Sequence, residues 1–137
     1  MNYYEKEFEK LQEEFHEVMH NYPLFKEIID EIEEKNIKEI NELLEKNDEY
    51  YLKKAIDKLK DLIKFIKNTS TCIKNEYEKY NKLALIWEKI KIHDTSDIEL
   101  AMINDRVNKA NQLINSHEVK DLIEANKIME VLIKENE

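Results

Sequence analysis

Across 137 residues there is no glycine. Glycine is the residue that enters positive φ freely and lets a backbone approach a ligand closely. Glycine-rich phosphate loops, dinucleotide turns and nucleophile elbows all depend on it. Their usual forms are therefore excluded. Tight two-residue hairpins favour glycine as well, which argues against a sheet protein. What remains is a chain of helices, and the spacing of apolar residues agrees.

Phe8, Leu11, Phe15, Val18, Met19 and Tyr22 recur every three or four residues, as one face of a helix requires. Asn21-Tyr22-Pro23 should end that helix, because the residue before proline avoids the α region. Pro23 is placed to open the next helix at its first position. Phe25, Ile28, Ile29 and Ile32 continue the pattern. After a break expected at Lys35-Asn36 come Ile37, Ile40, Leu43 and Leu44, with a turn at Asn47-Asp48. Leu52, Ala55, Ile56, Leu59, Ile63 and Ile66 follow. The polar run Asn68–Thr71 then reads either as a loop or as a poor turn within one long helix. Ile73, Tyr77, Tyr80, Ala84, Trp87 and Ile90 resume the stripe. Ser96-Asp97-Ile98-Glu99 has the form of a capping box. Two further helices use Ile98 to Ile114 and Val119 to Ile133, with Asn115-Ser116-His117 as the turn between them. The expected fold is all-α: a single bundle of five to six amphipathic helices over residues 1–137, ending in a helical hairpin.

The pattern also repeats. Residues 40–64 align without gaps on residues 110–134 at an offset of 70: Leu43 on Leu113, Leu52 on Leu122, Ala55 on Ala125, Leu62-Ile63-Lys64 on Leu132-Ile133-Lys134. Each copy reads as a helix ending in two apolar residues, a polar turn and a second amphipathic helix.

Net charge is −9 but uneven: residues 1–49 carry −10, residues 50–92 carry +6 and residues 93–137 carry −5. A basic middle between acidic flanks suits internal pairing, or alternatively a basic face for an acidic partner. Nucleic acid is not the expected partner. Phosphate affinity rests on clustered Lys and Arg, and arginine occurs once, at Arg106. The longest apolar run, Leu83–Trp87, is far below the ~20 residues that span a bilayer. No membrane partner is expected. Cys72 is the single cysteine and cannot form an internal disulfide. The acidic, polar start does not resemble a secretory signal. Together these features place the expected compartment in the cytoplasm.

Four sets of residues could carry chemistry. His16-Glu17-Val18-Met19-His20 is an H-E-x-x-H string. On a helix it sets two histidines on one face as zinc ligands, with Glu17 as general base. Glu13 and Glu14 precede it where such hydrolases usually carry uncharged residues, and the residues before it read as the same helix rather than as strands. Glu13-x-x-His16 and Glu17-x-x-His20 also match half of a di-iron carboxylate pattern, but position 90 and position 114, each three before a histidine, are isoleucines. Cys72 as a nucleophile would need a base such as His93 or His117. Tyrosines come close together at Tyr3-Tyr4, Tyr50-Tyr51 and Tyr77/Tyr80. Only one of two adjacent side chains can point inward from a helix, and exposed aromatics favour interfaces.

The final hairpin, with its Asn111–Val119 turn and its Leu122, Met129 and Leu132 stripe, resembles the C-terminal helical lid segment of Hsp70-family chaperones. The resemblance covers roughly 40 residues. It implies a detached helical tail and not a working chaperone, since nothing matches the ATPase domain or the β-sandwich. The residues together favour a non-enzymatic helical protein-interaction module with no cofactor, binding a protein partner or itself through Tyr50, Tyr51, Tyr77 and Tyr80. A small zinc hydrolase using His16, Glu17 and His20, or a homo-oligomeric structural bundle, are the competing readings.

Overall fold

The computed structural model describes residues 3–92 and 95–137. Within them the chain is all-α and contains no strand. The helices are α1 (Tyr3–Asn21), α2 (Lys26–Glu31), α3 (Lys38–Glu45), α4 (Glu49–Lys89), α5 (Asp97–Ile114) and α6 (Val119–Asn136). A π-helical segment, Ile32–Ile37, joins α2 to α3 without interruption. Among the described residues no helix is long and apolar enough to cross a membrane.

The chain divides into two compact units, Met1–Thr71 and Cys72–Glu137. The division falls within α4, just past Asn68–Thr71. That polar run is therefore a turn inside one helix of 41 residues and not a loop.

In the first unit α1 and the first half of α4 run parallel, with α2 and α3 returning between them. Ion pairs fix the register. Lys60 meets Glu7 at 2.9 Å and Lys67 meets Glu14 at 3.5 Å, a seven-residue step along both helices. Lys58 reaches Glu39 on α3 at 3.1 Å. Exposed pairs of this kind are screened by water and contribute little to stability. The core does most of the stabilising work. Phe8, Leu11 and Val18 of α1, Ile32, Ile40 of α3, and Ala55, Ile56, Leu59, Leu62, Ile63 and Ile66 of α4 form one buried cluster.

The expected break at Lys35-Asn36 does not occur. Ile32 and Ile37 are five residues apart, which an α-helix would turn to different faces. A π turn, with about 4.4 residues per turn, keeps both directed at the core. Pro23 is also placed differently from the expectation. It lies in the extended link before α2, whose N-cap is Phe25. Leu24, between them, packs against the core cluster, so the link is held down by apolar contact and helix formation is delayed to Lys26.

The second unit comprises the rest of α4, then α5 and α6. α4 and α6 are parallel: Asn126 Nδ2 donates to the Glu76 carbonyl at 2.9 Å, and Lys79 pairs with Glu130 three and four residues further on. α5 returns between them, tied by Tyr80 to Asn111 and by Arg106 to Glu135 at 2.8 Å. Its core is Ile73, Tyr80, Ala110, Ile114, Leu122, Ala125, Met129, Leu132 and Ile133. At the start of α5 the serine half of the capping box forms: Ser96 Oγ accepts from the Glu99 N–H at 3.2 Å. Ser96→Ala is expected to cost about 1 kcal/mol. A urea titration showing no loss would mean the cap contributes nothing.

The segments that align in sequence adopt the same turn. Asn47 and His117, 70 apart, are the two residues with positive φ among the described residues, at 49° and 62°. Each stands one residue before the N-cap of the following helix, and the bonds Leu52 N–H to Asp48 O and Leu122 N–H to Glu118 O coincide under the same offset. Without glycine the left-handed position falls to Asn and His, two of the side chains that tolerate it best. Ala55 and Ala125, Leu59 and Met129, Leu62 and Leu132, and Ile63 and Ile133 are buried pairwise.

Candidate functional site

One place breaks the correspondence between the two segments. In the second unit Ile114 and Leu122 close over the turn and are buried. Their counterparts, Leu44 and Leu52, are only half-buried. They form, with Phe8 and Leu43, the floor of an open cleft of about 460 Å³ between the start of α1, the end of α3 and the start of α4. Glu5 and Glu9 come from α1, Asp48 from the turn and Glu49 from the first position of α4. Gln12 and Asn47 complete the lining, and none of the lining residues is basic.

The local sequence explains this arrangement. Glu5 stands three and four residues before Phe8 and Glu9, and Gln12 four and three after them, so all four lie on one side of α1 and carboxylates flank an inward ring. Asp48 is the N-cap of α4: its Oδ1 accepts from the Tyr50 N–H at 2.9 Å. That bond satisfies one of the N–H groups left open at the start of the helix. Elsewhere in this unit the lysines of α4 neutralise α1 and α3 through Glu7, Glu14 and Glu39. The four acidic residues at the cleft, Glu5, Glu9, Asp48 and Glu49, are in none of these ion pairs with the α4 lysines. Reading the sequence by stripes missed it, because Phe8, Leu43, Leu44 and Leu52 look like ordinary core. The available signal was the −10 charge of this segment beside apolar residues at a turn.

The tyrosines fall into two groups. Tyr50 and Tyr51 stand beside the cleft, immediately after Glu49. Their rings meet edge to face at 5.1 Å, and Tyr50 is 59% exposed. Lys54 Nζ lies 4.7 Å from the centre of the Tyr50 ring, and Lys46 Nζ lies 4.2 Å from that of Tyr51. These cations hold the rings without covering both faces. Tyr77 and Tyr80 belong to the second unit. Tyr80, one of the four tyrosines expected to bind a partner, is 9% exposed and hydrogen-bonds Asn111. Burial pushes its phenol above the ordinary value. Its heptad step from Ile73 carries it into the core. Tyr77 is half-buried.

His16, Glu17 and His20 are all exposed on α1, and the His16 ring packs edge-on against Phe15 at 5.8 Å. The two histidines share a face, as their spacing dictates. Among the described residues no group of three His, Cys, Asp or Glu side chains comes together to hold a metal ion. A zinc site at this string would have two protein ligands on one helix, where catalytic zinc ordinarily takes three. Cys72 is half-buried on α4. His93, one of its suggested partners, lies outside the described residues.

The fold and this site define a class: an all-helical chain built from two hairpin-bearing units, one of which opens an acidic-rimmed apolar cleft. Comparison with protein-family models, with curated proteins and with solved structures finds no match.

Proposed function

We propose that the protein is a non-enzymatic helical interaction module whose first unit receives a basic, amphipathic segment of a protein partner. The observation that carries this reading is the cleft itself. Phe8, Leu43, Leu44 and Leu52 supply apolar surface, and Glu5, Glu9, Asp48 and Glu49 surround it with one sign of charge. An amphipathic helix or turn with apolar anchors and flanking lysines has the complementary pattern. The adjacent Tyr50 and Tyr51 add aromatic surface of the kind that anchors interfaces. The resemblance of the final hairpin to the Hsp70 lid segment supports the same class of reading, that of helices that bind without catalysing.

The test uses synthetic peptides of one amphipathic helical design. A Leu/Lys helix is expected to bind, measured by fluorescence anisotropy, and to weaken as salt rises. The same helix with Glu for Lys, and a Lys helix with Ser for Leu, are expected to bind at least tenfold more weakly. A Glu9→Lys/Asp48→Lys variant should lose the Leu/Lys peptide by a similar factor, and Tyr50→Ala should weaken it. A Glu124→Lys variant, in the second unit, should not. Equal binding by all three peptides, or unchanged binding by the cleft variant, would reduce the effect to general attraction by an acidic protein.

A further inference from the structure

The second unit ends differently from the first, and the difference leaves apolar side chains uncovered. Asn126 meets Glu76 and Glu130 meets Lys79, so α6 runs about 50 residues ahead of α4 in register. Asn136, the last residue of α6, therefore comes level with Ile86. On the other side Glu135 pairs with Arg106, which puts the same end level with Asp105. The first two turns of α5 and the last turn of α4 project beyond it.

At this level both helices carry apolar residues at helical spacing from the two ion-paired side chains. On α5, Arg106 continues at four-residue steps to Met102 and Ile98, which are 62% and 76% exposed. On α4, Lys79 continues at helical spacing to Leu83 and Ile86, the latter 45% exposed, and Ile90 follows just past the end of the helix. The first unit shows what happens at the same register when a third helix runs on. Ile28 and Ile32 align with Ile98 and Met102 at the offset of 70. There the pairing of Lys58 with Glu39 sets Ile32 level with Phe65, well within α4. Ile32 is 1% exposed and Ile28 is packed against the core.

We infer that this open end of the second unit is a self-association surface, occupied by a second copy of the chain. The charges select that occupant. The end of α4 and the link that follows carry Lys82, Lys89 and Lys91 against one acid, Glu88, and the start of α5 carries Asp97, Glu99 and Asp105. Among the described residues none of these side chains is in an ion pair. A two-fold arrangement sets the α4 end of each copy against the α5 start of the other. Every contact then occurs twice, with basic against acidic around the apolar stripes. Two α5 starts facing each other would oppose like charges, so the α4-to-α5 pairing is the one chosen. The inference is independent of the cleft, which lies in the first unit.

Sedimentation equilibrium of the full chain tests it. The mass should rise from 16.6 kDa towards twice that value as concentration increases. The double variant Ile98→Glu/Met102→Glu should weaken association at least tenfold with an unchanged circular dichroism spectrum, since both side chains are exposed. Lys89→Glu should weaken it, and Lys89→Glu combined with Asp97→Lys should restore it. The cleft variant Glu9→Lys/Asp48→Lys should associate as the parent does. A parent chain that stays at 16.6 kDa at the highest concentration, or a dimer indifferent to Ile98→Glu/Met102→Glu, overturns the proposal. So does a dimer lost in the cleft variant alone.

Discussion

Asn126→Asp is expected to destabilise the protein by roughly 3 kcal/mol or more at neutral pH. Asn126 is 1% exposed, at the position where the first unit has Ile56. Its Nδ2 donates both to the Glu76 carbonyl and to the Glu76 carboxylate, at 2.9 and 2.5 Å. Its Oδ1 is buried with no partner. Aspartate at this position loses both donated bonds and brings a second carboxylate, itself fully buried, against that of Glu76. Folding must then either retain two like charges or take up a proton. The loss should shrink as pH falls through the carboxylate range, because protonation removes the repulsion. Asn126→Leu is the informative control. It removes the unpartnered oxygen and leaves Glu76, which is half-buried, able to meet water. It is expected to be close to neutral or stabilising. Urea titrations of both variants at pH 7 and pH 4 decide the matter. An Asn126→Asp variant as stable as its parent at pH 7 would show that this site is wet.

The second large effect is a contrast between two leucines that the sequence aligns with each other. Leu122→Ala is expected to cost about 2–5 kcal/mol, the usual range for a fully enclosed leucine. Leu122 is 0% exposed and lies under the turn between α5 and α6. Leu52→Ala should cost less than half as much, since Leu52 is half-buried and already lines the open cleft. The truncated side chain there leaves solvent-accessible space, not an internal void. The ratio of the two losses measures the cleft directly. Equal losses would mean that the first unit closes over Leu52 in solution, and the binding reading would lose its floor. A small loss at Leu52 together with weakened binding of the Leu/Lys peptide would connect the cleft to its ligand.

Much of this architecture is legible in the order of residues. The absence of glycine and the three- and four-residue steps of Leu, Ile, Phe and Val require helices. The polar residues at Asn47-Asp48 and at Asn115–His117 mark both hairpin turns, and Ser96 marks the start of α5. These are local properties: capping, turn chemistry and amphipathic period act over a few residues, so a few residues suffice to read them. The offset of 70 is visible for the same reason. The H-E-x-x-H string shows the limit of such reading, because its spacing fixes that His16 and His20 share a face but says nothing of what faces them.

Tertiary structure decided the rest. The five-residue gap from Ile32 to Ile37 looked like a break, yet packing against α4 is better met by a π turn. Tyr80 and Tyr50 are both aromatic residues near the start of an apolar stretch. One is buried on Asn111 and the other stands at a cleft mouth, according to the helices that each meets. Leu52 and Leu122 occupy matched positions, and Ile28 and Ile98 do as well. What separates them is whether a neighbouring helix reaches far enough to cover them. The sequence determined an all-helical chain with two like hairpins, because helix formation and turns depend on near neighbours. The acid-rimmed cleft and the open end of the second unit were decided only by helix register, because coverage of a side chain depends on residues far away in the chain.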